Sequence, residues 1–342
     1  MTSQDRPRVA VLGRGEDVER WASAFERVAC VRPVPEEPAG QIDGLVVARG
    51  ATDPFARARE VLLAGVAVLY AAPFSLSPWQ AGVLRDTALR AGRPLYFFEP
   101  FRYRPGFAFL RRALEGNEPL WRPRYVRALC LAAPGGVGHI DELATEQLAL
   151  CDALLDWRPR HVLAAAAQRS DAGDVCAAFL VVHSSDGPVA QCTVSVAEPT
   201  EARQLVAVTP EGTIVMDDLD PVASLRILRE REDEVIVGEG SRRTRSERLV
   251  ACAQDPLTAE ARHFVDGLAV GDSSVSNAER WVRVASLWWA ARQSMAFGGR
   301  AEVPVPGPVL RDTEPPPLRV IKGGGKLARA AATRPALTLV SR

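Results

Sequence analysis

Glu142 and Glu146 stand four residues apart, a spacing that puts both carboxylates on one face of a helix. Asp141 lies beside the first and His139 just upstream. Such a cluster can hold a hard cation, or one member can act as a base if burial or a like charge raises its pKa. It can equally be a set of acids in a first helical turn, favoured by the macrodipole and solvated. Glu99, which opens EPFRYR after a short apolar run, is a third carboxylate with acid–base capacity. The four histidines (His139, His161, His183, His263) have no metal-ligand spacing, and the six cysteines contain no C-x-x-C, so no metal site is expected and the thiols read as reduced and mostly buried.

A second group could bind rather than react. RVAVLGRG (Arg8 to Gly15) is a strand running into Gly13-Arg14-Gly15, and Val18, Trp21, Ala22 and Phe25 follow at helical spacing. This is where a dinucleotide fingerprint belongs: one glycine allows the tight turn, the next lets a pyrophosphate approach the backbone, and a third lets helix and strand pack closely. The third position is Val18, and Glu16 and Asp17 bring negative charge to the phosphate end. The next strand, ACVRPV (Ala29 to Val34), carries Arg32 and Pro33 where an acid would hold a ribose hydroxyl. Arg32 could accept a 2′-phosphate and favour NADP, or simply face solvent at a strand end.

The elements that position these residues are legible between Ile42 and Pro105. IDGLVVA, VAVLY and PLYFF are short apolar strands, and the segments between them have helical period, one opened by Asp53-Pro54 and the other by a capping box at Ser77 and Gln80 and closed by Gly92. Strands alternating with helices force βαβ crossovers, hence a doubly wound parallel sheet. From Arg160 the period changes to two, with hairpin signals at Asp186-Gly187 and Glu211-Gly212 and a third hairpin expected from Leu225–Arg229 and Glu234–Val237, which predicts an open-faced antiparallel sheet. SRRTRSER (Ser241 to Arg248) reads as a solvated connection. Helices follow at Pro256–Leu268 and Ser276–Ala296, the latter with Ser276 and Glu279 as a capping box. The fold class is therefore α/β, a Rossmann-like domain (1–118) followed by an α+β domain (119–306) and a basic, Pro/Gly-rich arm (307–342) that could add a strand to a neighbour. Zero formal net charge, 47% hydrophobic and 25% charged residues, and no membrane-length apolar run describe a soluble, cytoplasmic chain with no general attraction to nucleic acid or membrane.

IDGLVVARGATDPFARAREVLLAGVAVLYAAP resembles the segment of Gfo/Idh/MocA oxidoreductases in which strand, helix and strand end in Glu-Lys-Pro. Ala71 and Ala72 stand at the Glu and Lys positions, and only Pro73 is kept. FRYRPGFAFLRRALEGNEPLWRPRYVRA is similar to the linking segment of that family, with Arg102 at its arginine. GGVGHIDELATEQLALCDALLDWRPRHV is similar to the family stretch Asp-Leu-Gly-x-His, with Glu142 at the Asp and Glu146 at the catalytic His. The resemblance implies hydride transfer with a nicotinamide cofactor, and pairing through the open sheet face. The departures at Val18, Arg32, the short segment after it, Ala72 and Glu146 all touch that reaction. Two functions follow. One is a non-catalytic binding or partner subunit without a cofactor. The alternative is an NADP-dependent oxidoreductase of a small polyol, sugar or carbonyl substrate, holding the cofactor with Gly13, Gly15 and Arg32. Non-redox chemistry by Glu99, Glu142 and Glu146 is a third possibility. A homo-oligomer through the second sheet and a protein partner are both expected.

Overall fold

The runs GLVV and AVLY have no polar residue on either face and are buried along their whole length, as strands covered on both sides must be. They are β3 (Gly44–Val47) and β4 (Ala67–Tyr70) of an all-parallel five-stranded sheet, with β1 (Arg8–Leu12), β2 (Arg32–Val34) and β5 (Leu95–Phe97) in the order β2-β1-β3-β4-β5. The computed structural model describes residues 7–28, 32–34, 42–104, 106–108, 110–111, 122–134, 139–155, 157–185, 187–220, 225–230, 244–249, 255–270, 277–304, 320–322 and 339–341. The chain divides into two compact units, one of Met1–Tyr103, Gln254–Ser286 and Val305–Pro316, the other of Arg104–Ala253, Leu287–Pro304 and Pro317–Arg342.

In the first unit the helices begin and end where local chemistry dictates. In α2 (Pro54–Leu63) the Asp53 side chain accepts the Ala56 N–H and proline takes the first turn. In α3 (Pro78–Ala91) both bonds of the Ser77/Gln80 capping box form, and Gly92 closes the helix at φ 61°. α1 (Glu16–Glu26) buries Trp21 and Phe25 against Tyr96 and against Phe264 of α5, where α4 is Ile140–Leu154 and α5 is Pro256–Val270. The aromatic contacts are edge-on, with centroids 5.0 Å apart for Trp21 and Phe98 and 6.2 Å for Phe25 and Phe264. Gly44 must be glycine for this packing, because a Cβ there would come within 2.7 Å of the Phe264 ring. So α5, which follows the β-rich stretch in sequence, packs in the first unit.

The edge strand β5 is also closed. The Asn277 amide accepts the Phe97 N–H and donates to the Phe97 carbonyl, both at 2.8 Å, so one side chain pairs like a neighbouring strand. α6 (Ala278–Phe297) starts directly after it; Ser276, half of the expected capping box, lies outside the described residues.

The second unit is built on an eleven-stranded sheet in the order β13-β12-β11-β10-β6-β9-β8-β7-β14-β15-β16. Its strands are β6 (Tyr125–Leu131), β7 (Pro159–Arg169), β8 (Val175–Ser184), β9 (Val189–Ser195), β10 (Ala202–Thr209), β11 (Gly212–Asp217), β12 (Leu225–Glu230), β13 (Thr244–Leu249), β14 (Arg300–Glu302), β15 (Val320–Lys322) and β16 (Leu339–Ser341). The sheet is mixed, where antiparallel pairing throughout was expected, because β6 runs parallel to β9 and β15 to β16. The first departure has a topological cause. β6–α4–β7 is a crossover that leaves β7 in the direction of β6, and the meander β7-β8-β9 then lays β9 alongside β6. A second difference concerns the third hairpin. β12 pairs with Thr244–Leu249, inside the basic stretch read as a connection, and Glu234–Val237 lies outside the described residues. Edge strands tolerate charge, so the basic composition hid this one. Within the stretch read as an arm, β15 and β16 extend the chain's own sheet.

Candidate functional site

In open parallel sheets ligands bind beyond the carboxyl ends of the strands, at the point where the strand order reverses. Here the chain passes from β1 to β2 on one side and to β3 on the other, so that point lies between the ends of β1 and β3. The glycine turn Gly13–Gly15 follows β1 there, and residues 48–53 follow β3.

The two loops are tied together. The Arg14 N–H donates to the Arg49 carbonyl at 3.0 Å, and the Arg49 N–H donates to Asp17 Oδ2 at 3.0 Å. A Cβ on Gly13 would meet that Arg49 carbonyl at 2.7 Å, so only glycine lets the strand ends approach. Gly15 sits at φ 71°, the left-handed region, at the N-cap of α1. It gives the helix no side-chain cap, and a Cβ there would meet nothing within 4 Å. The first turn thus starts without a side-chain cap and with room beside Gly15, while the Val18 N–H bonds back to the Gly15 carbonyl at 3.1 Å; a helix start of this kind suits a phosphate. Val18, at the third fingerprint position, turns inward and packs against the core. Asp17 is held by the Arg49 N–H, while Glu16 and Glu19 stay exposed.

The backbone register places Arg32 at the start of β2. The register sets it beside Arg8, the first residue of β1, and Val34 beside Ala10. Arg32 therefore opens its strand, four residues short of the level of Leu12, about 13 Å along the sheet. The residues that continue the strand direction, Pro35, Glu36 and Glu37, lie outside the described residues. Ala71 and Ala72 follow β4 and are buried. Beyond them the Arg49 guanidinium lies 5.6 Å from the centre of the Phe74 ring.

The second unit holds the carboxylates. Glu146 and Glu142 are both half-buried on α4, as their spacing predicts. The partner of Glu146 comes from far away in sequence. Arg104 donates from Nη2 to Glu146 Oε1 at 2.5 Å and from Nη1 to Asp218 Oδ2 at 2.6 Å. One guanidinium thus bridges two carboxylates, and the three side chains are only 15%, 14% and 13% exposed. Burial pulls the Arg104 pKa down, but Glu146 and Asp218 outweigh it and leave it above its usual value. Burial lifts the Asp218 carboxyl even though Arg104 opposes the shift. The nearby Cys130 thiol is pushed up to about 11 by burial and then by Glu146, so it is no nucleophile at neutral pH. Asp141 does structural work: it accepts the Trp288 indole N–H at 2.7 Å.

Glu99 belongs to the first unit. It is fully buried and accepts Arg280 Nη1 at 3.0 and 3.2 Å, with Arg102 Nη1 at 3.6 Å. Glu260 of α5 joins this network, its carboxyl lifted to about 8 by burial, pulled back by Arg102 and raised further by Glu99. Burial and Glu260 also raise the Tyr103 hydroxyl. Glu99 is thus matched by arginines in a structural network.

Arg104, Asp218 and Glu260 were missed in the sequence. Arg104 carried a weak signal as the last residue of FRYR; Asp218, 114 residues further on, carried none. Among the described residues no group of three His, Cys, Asp or Glu side chains could hold a metal ion, and no helix is long and apolar enough to cross a membrane.

No family model matches the sequence, and neither does any curated protein. Solved structures do match its fold. UDP-N-acetylglucosamine 3-dehydrogenase GnnA from Acidithiobacillus ferrooxidans is similar with a TM-score of 0.72 at 20% identity, over 85% of this chain and 97% of that one. GenD2 from gentamicin A biosynthesis, in complex with NAD, gives 0.69 at 21%, over 88% and 97%. Levoglucosan dehydrogenase in complex with NADH and levoglucosan gives 0.73 at 14%, over 88% and 100%. The chain has the fold of the Gfo/Idh/MocA oxidoreductases, a Rossmann-like unit with a second unit built on a large open sheet.

Proposed function

We propose that the chain is a nicotinamide-dinucleotide-dependent oxidoreductase acting on a small polyol, sugar or carbonyl substrate. The observation that carries this is the Gly13–Gly15 turn: a glycine with positive φ opens α1 without a side-chain cap and with room beside it, at the reversal point of the sheet. The printed ligands of two fold neighbours, NAD and NADH, support the same cofactor class, against the expectation that none binds. The backbone register, with Arg32 at the start of β2, lends no support to a preference for NADP.

When bound, the dinucleotide supplies the hydride donor or acceptor. Gly13 and Gly15 let its phosphates approach the backbone. Glu146 is the carboxylate that takes up the proton of a substrate hydroxyl. Arg104 orients it through Oε1, and Asp218 fixes Arg104 in turn. A carboxylate is a weaker base than imidazole, so it gives the proton transfer less driving force than a histidine would.

A second reading, a binding or partner subunit without hydride transfer, is favoured by two observations: Glu146 is engaged by Arg104, and Ala72 offers no cation of its own. In either case we propose a homo-oligomer through the outer sheet face, where Leu163 and Phe179 are each 49% exposed. The deciding experiment is a screen of polyols, sugars and carbonyl compounds with NAD(H) and NADP(H), followed by nicotinamide absorbance, with Glu146→Ala as control. Turnover that falls about 100-fold or more in the variant supports the enzyme. Cofactor binding without turnover on any substrate moves the reading to the second one.

A further inference from the structure

The glycine turn poses an electrostatic difficulty. Glu16, Asp17 and Glu19 all lie in the first turn of α1, where a diphosphate would sit. Asp17 is accounted for, since its carboxylate accepts the Arg49 N–H. Glu16 and Glu19 need an offset, and the two loops at the reversal point provide two cations. Arg14 lies between the glycines, and its guanidinium reaches Thr52 Oγ1 at 3.3 Å across the facing loop. Arg49 stands two residues after the end of β3, with its guanidinium over the Phe74 ring. The backbones of the two arginines are joined by the Arg14 N–H to Arg49 carbonyl bond, and a Cβ on Gly50 would come within 3.2 Å of Arg14 Cβ. The two arginines are therefore held on adjoining loops beside the Gly13–Gly15 turn.

We propose that Arg14 and Arg49 form a two-arginine clamp for the diphosphate of the dinucleotide. This deepens the oxidoreductase reading and rests on its cofactor. Guanidinium groups bind phosphate oxygens through paired, charge-assisted N–H bonds, and two of them match the two negative charges of a diphosphate. The clamp explains how acids can occupy the first turn of a phosphate-binding helix. It also places a cation, Arg49, beside the end of β4, where Ala72 supplies none.

The test uses the full chain and two probes: NADH, and ADP-ribose, which carries the diphosphate without the nicotinamide. Dissociation constants by calorimetry are compared for wild type, Arg14→Gln, Arg49→Gln and Arg49→Lys, with thermal unfolding of each as a folding control. Loss of a charge-assisted bond should weaken both probes roughly tenfold in each Gln variant, with part of the loss restored by Arg49→Lys. Unchanged affinity for both probes in the folded Gln variants overturns the clamp and leaves the cofactor reading standing. Weaker NADH with unchanged ADP-ribose also overturns it, assigning Arg49 to the nicotinamide end. Failure of wild type to bind either probe at millimolar concentration overturns both. If Arg49→Gln unfolds, Arg14→Gln decides.

Discussion

The glycine turn of the first unit and the carboxylate pair of the second solve different problems. The turn is a backbone feature: Gly13 permits contact with the Arg49 carbonyl, and Gly15 holds a positive φ. Side chains around it can change, as Val18 and Glu16 show, while the backbone cradle keeps its form. The α4 site works through side chains. There Arg104 ties Glu146 to Asp218.

The largest expected effect comes from removing the shared cation. Arg104→Ala strands two mostly buried carboxylates and should cost about 3 to 5 kcal/mol in denaturant unfolding. An unchanged midpoint would show that water, not Arg104, holds these groups. Next is Gly13→Ala, whose Cβ would press on a backbone oxygen at 2.7 Å; strain of about 1 to 3 kcal/mol and a clear loss of NADH affinity are expected. Stability loss with full affinity would separate the turn from binding.

Glu260 gives a pH signature in the first unit. Its folded pKa is raised to about 8, so its contribution is fully present below the ordinary value of 4.5 and is lost as pH rises through 8. Between those values stability should fall by up to about 1.4 kcal/mol per pH unit from this group, and Glu260→Gln should flatten that slope. Equal slopes in both proteins would mean the carboxyl is ionised when buried. The smallest effect is expected from Trp288→Phe, which removes one indole bond to Asp141 and should cost about 1 kcal/mol.

What could be read in advance divides along the same line. Asp53-Pro54, Ser77 with Gln80, and Gly92 act within four residues of themselves, so their caps were legible. The buried strands β3 and β4 announced themselves by having no polar face. The placement of α5 was hidden, because only the three-dimensional fit of Phe264 onto Gly44 assigns it to the first unit. β13 was hidden by its charges and Asp218 by its distance from Arg104. The level of Arg32 along the sheet depended on a register that strand composition does not encode.

The first measurement to make is a calorimetric titration of the purified chain with NADH and, in parallel, NADPH. Micromolar binding of NADH, at least as tight as that of NADPH, is the result expected of a working glycine turn with Arg32 at the far end of its strand. No heat from either nucleotide at millimolar concentration would contradict it, and would leave a protein that keeps the fold of a dehydrogenase without its cofactor.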